Sequence, residues 1–301
     1  MKFGLQHPSF SRDGKPGEIA DSLSRLVVKA EEGGFDSFWV MDHFHQIRYV
    51  GAPDEPMLEG WTTLAALSGK TSRIKLGTLV TGNTYRHPSV LAKIGATLDV
   101  MSKGRLFMGI GAAWNEEEAT AYGIPFPSTR ERLQRLEEAV QVIKKMWTED
   151  RADFDGKYYT LRDAYCNPKP VQKPHPPIMV GGSGERQTLR IVARYADACN
   201  LFGSVQTIDQ KLRVLRQHCK RVGRNYDEIV KSTLCRIEIG SVQRDVETGS
   251  LANWIHGAPD EVRREVEKFR DVGIDYLIVN CGRESEVLDT FSSEVVKPLT
   301  D

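Results

Sequence analysis

The 301-residue chain has no surplus of either charge: Lys and Arg total 41, and Asp and Glu total 41. That balance argues against nucleic acid or an anionic membrane as the main partner, since both are bound chiefly through an excess of basic side chains. No apolar run approaches the roughly 20 residues needed to cross a bilayer. The opening Met1-Lys2-Phe3-Gly4-Leu5-Gln6 turns polar too soon for a signal peptide, so a cytoplasmic protein is expected. Cysteine is sparse and scattered, at Cys166, Cys199, Cys219, Cys235 and Cys281, with no Cys-x-x-Cys pair. An odd, widely spaced set predicts reduced thiols, with neither a disulfide frame nor a zinc site.

What the chain does have is alternation. Residues 2–6 form a short apolar strand candidate. Residues 18–32 carry Ile19, Leu23, Leu26, Val27 and Ala30 at helical spacing and end at Gly33-Gly34. The same sequence of strand then helix recurs along the chain. Strands are predicted at 36–41, 73–78, 105–110, 177–180, 196–200, 232–239 and 276–279. Helices are predicted at 60–69, 87–101, 129–147, 185–195, 207–222, 259–272 and 285–296. With no linker dividing the chain, eight such units fit a single (β/α)8 TIM barrel over 1–301, an α/β fold, better than two doubly wound sheets. Three stretches lack either periodicity and are read as loop insertions, at about 112–128, 148–176 and 240–258. The second holds a predicted hairpin at 154–161, around the Asp155-Gly156 turn, and five prolines within 167–177.

In a parallel barrel the chemistry sits at the carboxyl ends of the strands. By that placement His7, Asp42, His43, His45, the turn 78–83, the turn 109–115, Gly181-Gly182-Ser183-Gly184 and Cys281 gather on one rim. His43 leads as a proton relay, because imidazole gives or takes a proton near neutral pH, and Asp42 beside it is the expected orienter. A structural histidine bonded to a neighbour is the plain alternative. His43-x-His45 also permits a metal site, since residues i and i+2 of a strand point the same way. Such a site needs about two more ligands, and of the other histidines only His7 is well placed; no metal ligand is assigned. The glycine turn 181–184, between a strand and a helix, offers backbone N–H groups to an anion, or is a simple connection. Small residues at Gly109-x-Gly111 would let a flat ring approach the backbone. Trp114 reads as a pocket wall or as a buried structural residue. The acidic run 116–118 reads as a solvated helix start.

With these residues placed, the chain resembles the luciferase-like monooxygenase superfamily, and within it the branch using the deazaflavin coenzyme F420. The resemblance rests on Gly34-Phe35-Asp36 leading to Val40-Met41-Asp42-His43-Phe44-His45, and on Leu76-Gly77-Thr78 with Tyr85-Arg86-His87-Pro88. It rests equally on Gly109-Ile110-Gly111-Ala112-Ala113-Trp114-Asn115-Glu116, on the proline stretch 168–174, and on 177–184 with Tyr195-Ala196-Asp197. It implies a barrel with the flavin-type ring at the strand tips, flanked by Asp42 and His43. A non-prolyl cis peptide within 78–80 would back the ring. Thr78, Leu79, Val80, Asn83, Gly111 and Ala112 would hold the coenzyme, and Gly181, Gly182, Ser183 and Gly184 would take its phosphate. His7, His45 and Trp114 would face the substrate. Sugar-phosphate dehydrogenases of that branch carry a glutamate where this chain has Ala112 and a tryptophan where it has Ile47, so a sugar phosphate is not the expected substrate. The resemblance thus implies an oxidoreductase moving a hydride between F420 and a small organic molecule, working as a homodimer, with a separate reductase supplying reduced coenzyme. The alternatives are an FMN-dependent monooxygenase, a non-catalytic flavin-binding protein and a metal-dependent hydrolase.

Overall fold

Eight parallel strands curl into a ring in the computed structural model, which describes residues 1–11, 13–240, 253–281 and 285–300, with the backbone alone at 285 and 286. The chain runs β1 (Lys2–His7), α1 (Ile19–Glu32), β2 (Ser37–Val40), α2 (Gly60–Ser68), β3 (Lys75–Thr78), β4 (Thr81–Gly82), α3 (Pro88–Met101) and β5 (Met108–Gly111). It continues with α4 (Glu116–Ala121), α5 (Thr129–Thr148), β6 (Ala152–Asp155), β7 (Thr160–Ala164), β8 (Ile178–Gly181), α6 (Thr188–Tyr195), β9 (Ala198–Leu201) and α7 (Val205–Val222). It continues with β10 (Val230–Ile239), β11 (Asn253–Gly257), α8 (Pro259–Asp271), β12 (Tyr276–Asn280) and α9 (Ser285–Phe291), and ends with a π-helical turn (Ser292–Val296) and α10 (Lys297–Thr300).

Neighbours in the sheet follow the order β3-β2-β1-β12-β10-β9-β8-β5-β4. The ring closes where Leu76 of β3 bridges Leu106, just ahead of β5. This is the (β/α)8 barrel expected from the alternation. Its strands are largely buried because both faces are covered, one by helices and one by the barrel interior. Outside, helices dock by narrow apolar stripes; on α1 the buried residues are Ile19, Leu23, Val27 and Ala30, four, four and three positions apart.

Inside the ring, Trp39, Phe107, Met179, Ala198, Tyr276 and Ile278 form a separate plug. Trp39 is wholly buried and donates its indole N–H to Ser37 Oγ at 2.5 Å. Room for that ring depends on Gly77: a Cβ there would lie 2.5 Å from Trp39 and 2.3 Å from the Phe107 carbonyl oxygen. The plug fills the barrel below the strand tips and leaves the tips themselves as the place for a ligand.

The irregular stretches differ in kind. The segment 148–176 contains the predicted hairpin as the antiparallel pair β6–β7, with Phe154 opposite Leu161. In the segment 240–258, residues 241–252 lie outside the described residues. Residues 253–257, read as loop from the sequence, are instead the strand β11, parallel to β10 from Cys235↔Asn253 to Ile239↔Gly257. Among the described residues β11 pairs with β10 alone and only Ile255 of its side chains is buried. Its polar composition is that of a strand covered on one side, which hides the apolar signal. No described helix is long and apolar enough to cross a membrane.

Candidate active site

The carboxyl ends of the strands open into a cavity of about 830 Å3. Its apolar floor is built from the turn after β3 and the tips of β5 and β8. The Leu79–Val80 peptide is cis, inside the range expected for it. Both residues line the cavity, and Val80 is packed tightly against glycine on two sides. A Cβ on Gly111 or on Gly181 would lie 2.9 Å from its Cγ2. Any larger residue at these two tips would displace Val80 or fill the space above it.

His43 lines the cavity and is held from behind. Its Nδ1 is 2.7 Å from Oε2 of Glu118, a residue of α4 whose side chain is completely buried. Glu118 Oε1 accepts the Phe44 backbone N–H at 2.5 Å, and the Tyr85 hydroxyl donates to Oε2. Burial alone would raise the Glu118 carboxyl, but the bonds from His43, Tyr85 and Phe44 outweigh it and hold the group below its ordinary value of 4.5. Burial and the same carboxylate push the Tyr85 hydroxyl well up. An ionised Glu118 is an acceptor only, so it fixes the proton of a neutral His43 on Nδ1 and leaves Nε2 as a lone-pair acceptor. The ring of Trp114 stands edge-on to His43, with centroids 5.6 Å apart.

Asp42 does not orient His43. Asp42, two residues past the end of β2, turns instead to Arg86, accepting from Nη1 at 2.7 Å and Nη2 at 2.9 Å. Arg86 also reaches Glu59. Burial alone would lower the Arg86 guanidinium; Asp42 and Glu59 reverse that and raise it. Burial pushes the Asp42 carboxyl above its ordinary 3.8 in spite of Arg86, so the close geometry, not the carboxyl's own titration, is what makes the two a buried pair beneath the rim.

The other sequence-predicted residues divide the same way. His7, Leu79, Val80, Gly111, Ala112 and Trp114 line the cavity, as do Gly181, Gly182, Gly184 and Cys281. His7 Nε2 lies 3.0 Å from Asp13 Oδ2, and burial pushes the Cys281 thiol up to about 12. Thr78 is packed below the floor against Thr81 and the Gly109 carbonyl. The Asn83 amide donates to the Arg132 carbonyl and faces a second cavity on the outer side. Ser183 Oγ accepts the Phe202 N–H, and His45 Nδ1 is bonded to the Gln46 carbonyl. Asp42, Thr78, Asn83, Ser183 and His45 thus stand outside the cavity lining, and the His43-x-His45 pair is split between two environments.

Residues 1–235 match the family described as luciferase-like monooxygenase. The chain belongs to the luciferase-like monooxygenase family. It is similar to an F420-dependent glucose-6-phosphate dehydrogenase of Kineococcus radiotolerans, with 33% identity covering 93% of this chain and 92% of the relative. Among solved structures it resembles the coenzyme F420-dependent tetrahydromethanopterin reductase of Methanopyrus kandleri, at a TM-score of 0.82 and 20% identity over 99% of both chains. It equally resembles EDTA monooxygenase from Chelativorans sp. BNC1, at a TM-score of 0.84 and 17% identity, covering all of this chain and 93% of that one.

For a member of the luciferase-like monooxygenase family, the cavity suits a flat ring: an apolar floor at Leu79–Val80, glycine at the tips of two strands, and His43 at the side. The turn 181–184 is a poorer anion cradle than the sequence suggested, because the Gly182 N–H is spent on the Asn200 carbonyl. Thr188, the first residue of α6, lines the cavity beside Gly184 and offers a hydroxyl there. Sequence reasoning missed Glu118, Tyr85, Arg86 and Asp13. For Glu118 a signal was present. Asn115 stands three residues ahead, the spacing of a capped helix start, and its Oδ1 accepts the Glu118 N–H at 3.4 Å. A residue fixed in a first turn has a defined direction, and here that direction is inward.

Proposed function

We propose that this chain is an oxidoreductase that moves a hydride between coenzyme F420 and a small organic substrate. The observation that carries the reading is the buried Glu118–His43 couple beside the glycine-lined cavity, in a chain whose relatives over nine-tenths of its length are named for F420. When bound, the deazaflavin supplies a carbon that accepts or releases a hydride. Leu79, Val80, Gly111 and Ala112 would hold its ring, with Gly181, Gly184 and Thr188 toward its phosphate. His43 takes the substrate proton on Nε2, and Glu118 keeps the imidazole in the tautomer that makes this possible. Trp114 restricts water at the side of the base. Asp42 and Arg86 support the rim without touching the reacting atoms.

The active unit in this reading is a cytoplasmic homodimer, with a separate reductase supplying reduced coenzyme where the reaction runs toward reduction. An FMN-dependent monooxygenase is the rival that the family name and the fold also accommodate. Replacing His43 with Ala tests the assignment. F420 affinity is expected to persist while single-turnover coenzyme reduction slows by about 10²-fold or more. An unchanged rate with intact coenzyme binding removes His43 from the mechanism.

A further inference from the structure

Glu118 is held by more than His43. An ionised carboxylate accepts along lone pairs on both of its oxygens, and each oxygen here has two donors. Oε2 takes His43 Nδ1–H and the Tyr85 hydroxyl. Oε1 takes the Phe44 N–H at 2.5 Å and the His45 N–H at 3.4 Å. His43 and Tyr85 therefore share one oxygen. Tyr85 reaches it from the segment after β4, with its ring centroid 5.0 Å from that of Phe44. The ring lies against Gly82, where a Cβ would come 3.0 Å from its Cε2. Its hydroxyl keeps its proton, because burial and the adjacent carboxylate both oppose ionisation.

A donor on Oε2 draws part of the negative charge away from the imidazole. The charged side chains on the neighbouring segments have partners of their own. Asp42 and Glu59 are both joined to Arg86, and Glu117 pairs with Arg48 at the surface. Glu116 is exposed on α4, and His45 Nδ1 is bonded to the Gln46 carbonyl. Tyr85 is thus the side chain that competes with His43 for Oε2.

We infer that Tyr85 is a positioning residue that sets the pH at which His43 changes charge, by sharing the Glu118 oxygen behind it; this rests on the reading of His43 as the proton acceptor. Without the hydroxyl, the whole of Oε2 turns to the imidazole and favours its protonated form. His43 would then be protonated, and unable to accept, over a pH range in which the wild type is ready. Removing the carboxylate has the opposite sign, because the imidazolium loses its partner. Tyr85 and Glu118 keep their own charge states throughout; only His43 gains and releases a proton.

The test needs neither substrate nor coenzyme. The His43 Cε1–H resonance, identified by its loss in His43→Ala, is followed by NMR between about pH 5 and 9. Tyr85→Phe, which keeps the ring and its packing, should raise the titration midpoint by about 1 relative to wild type. Glu118→Gln should lower it. Adding Tyr85→Phe to Glu118→Gln should change nothing further, since the hydroxyl acts through the carboxylate. A midpoint that stays or falls in Tyr85→Phe overturns the inference, and so does an equal rise in the double variant. A titration of the wild type with F420, read by coenzyme fluorescence, decides the coenzyme reading separately. Its failure would sink that reading and leave the NMR result standing.

Discussion

Glu118 commits the Nδ1 of His43 and so decides which ring nitrogen carries the proton. Glu118→Gln keeps the shape and removes the charge. It should lower kcat by about 10²–10⁴-fold, as loss of a carboxylate behind a catalytic imidazole does elsewhere. F420 binding should survive, and Glu118→Asp should recover part of the rate. Steady-state kinetics with a coenzyme titration checks all three. The same residue predicts a pH dependence. Its folded-state carboxyl sits below the ordinary 4.5, so it adds stability above that pH and loses it as the pH falls through the folded value. The melting-temperature gap between wild type and Glu118→Gln should therefore narrow as the pH is lowered from about 7 to below about 4. At Asp42 the prediction is asymmetric. Arg86→Ala strands a buried carboxylate and should cost about 3–5 kcal/mol in urea unfolding. Asp42→Ala leaves Arg86 with Glu59 and should cost less. The sequence made His43 legible through its place at a strand tip. It made Asp42 misleading, because two residues adjacent in the chain past the end of β2 bond to different partners, Asp42 to Arg86 and His43 to Glu118.

At the scale of elements, strands and helices were legible wherever one face is buried and the other covered or solvated, since apolar spacing then follows geometry. The signal failed where polar composition has another cause. The strand β11 is covered on one side only, and α4 is a six-residue helix whose acidic start conceals one inward carboxylate. Gly77 offers a test of how the plug constrains β3. Gly77→Ala brings a methyl within 2.3 Å of the Phe107 carbonyl and 2.5 Å of Trp39. Neither the backbone nor a fully buried indole yields readily. The variant should lose about 3 kcal/mol or more in urea unfolding. A change below about 1 kcal/mol would show that the plug is loosely packed.

For the whole molecule, the alternation gave the barrel class, but the closure between Leu76 and Leu106 and the meeting of Glu118 with His43 join residues 30 and 75 positions apart. No local pattern encodes such meetings; they follow from the ring as a whole. The five cysteines belong to this scale too. All are buried, and burial pushes the Cys199 thiol up to about 12. A thiol reagent applied to the native protein should label fewer than one cysteine per chain on the time scale that labels all five after unfolding. The most direct measurement of the central claim is a side-by-side titration of the purified chain with F420 and FMN, read by coenzyme fluorescence. The hydride-transfer reading predicts saturable F420 binding about 100-fold or more tighter than FMN binding. Tight FMN binding with none for F420 would contradict it.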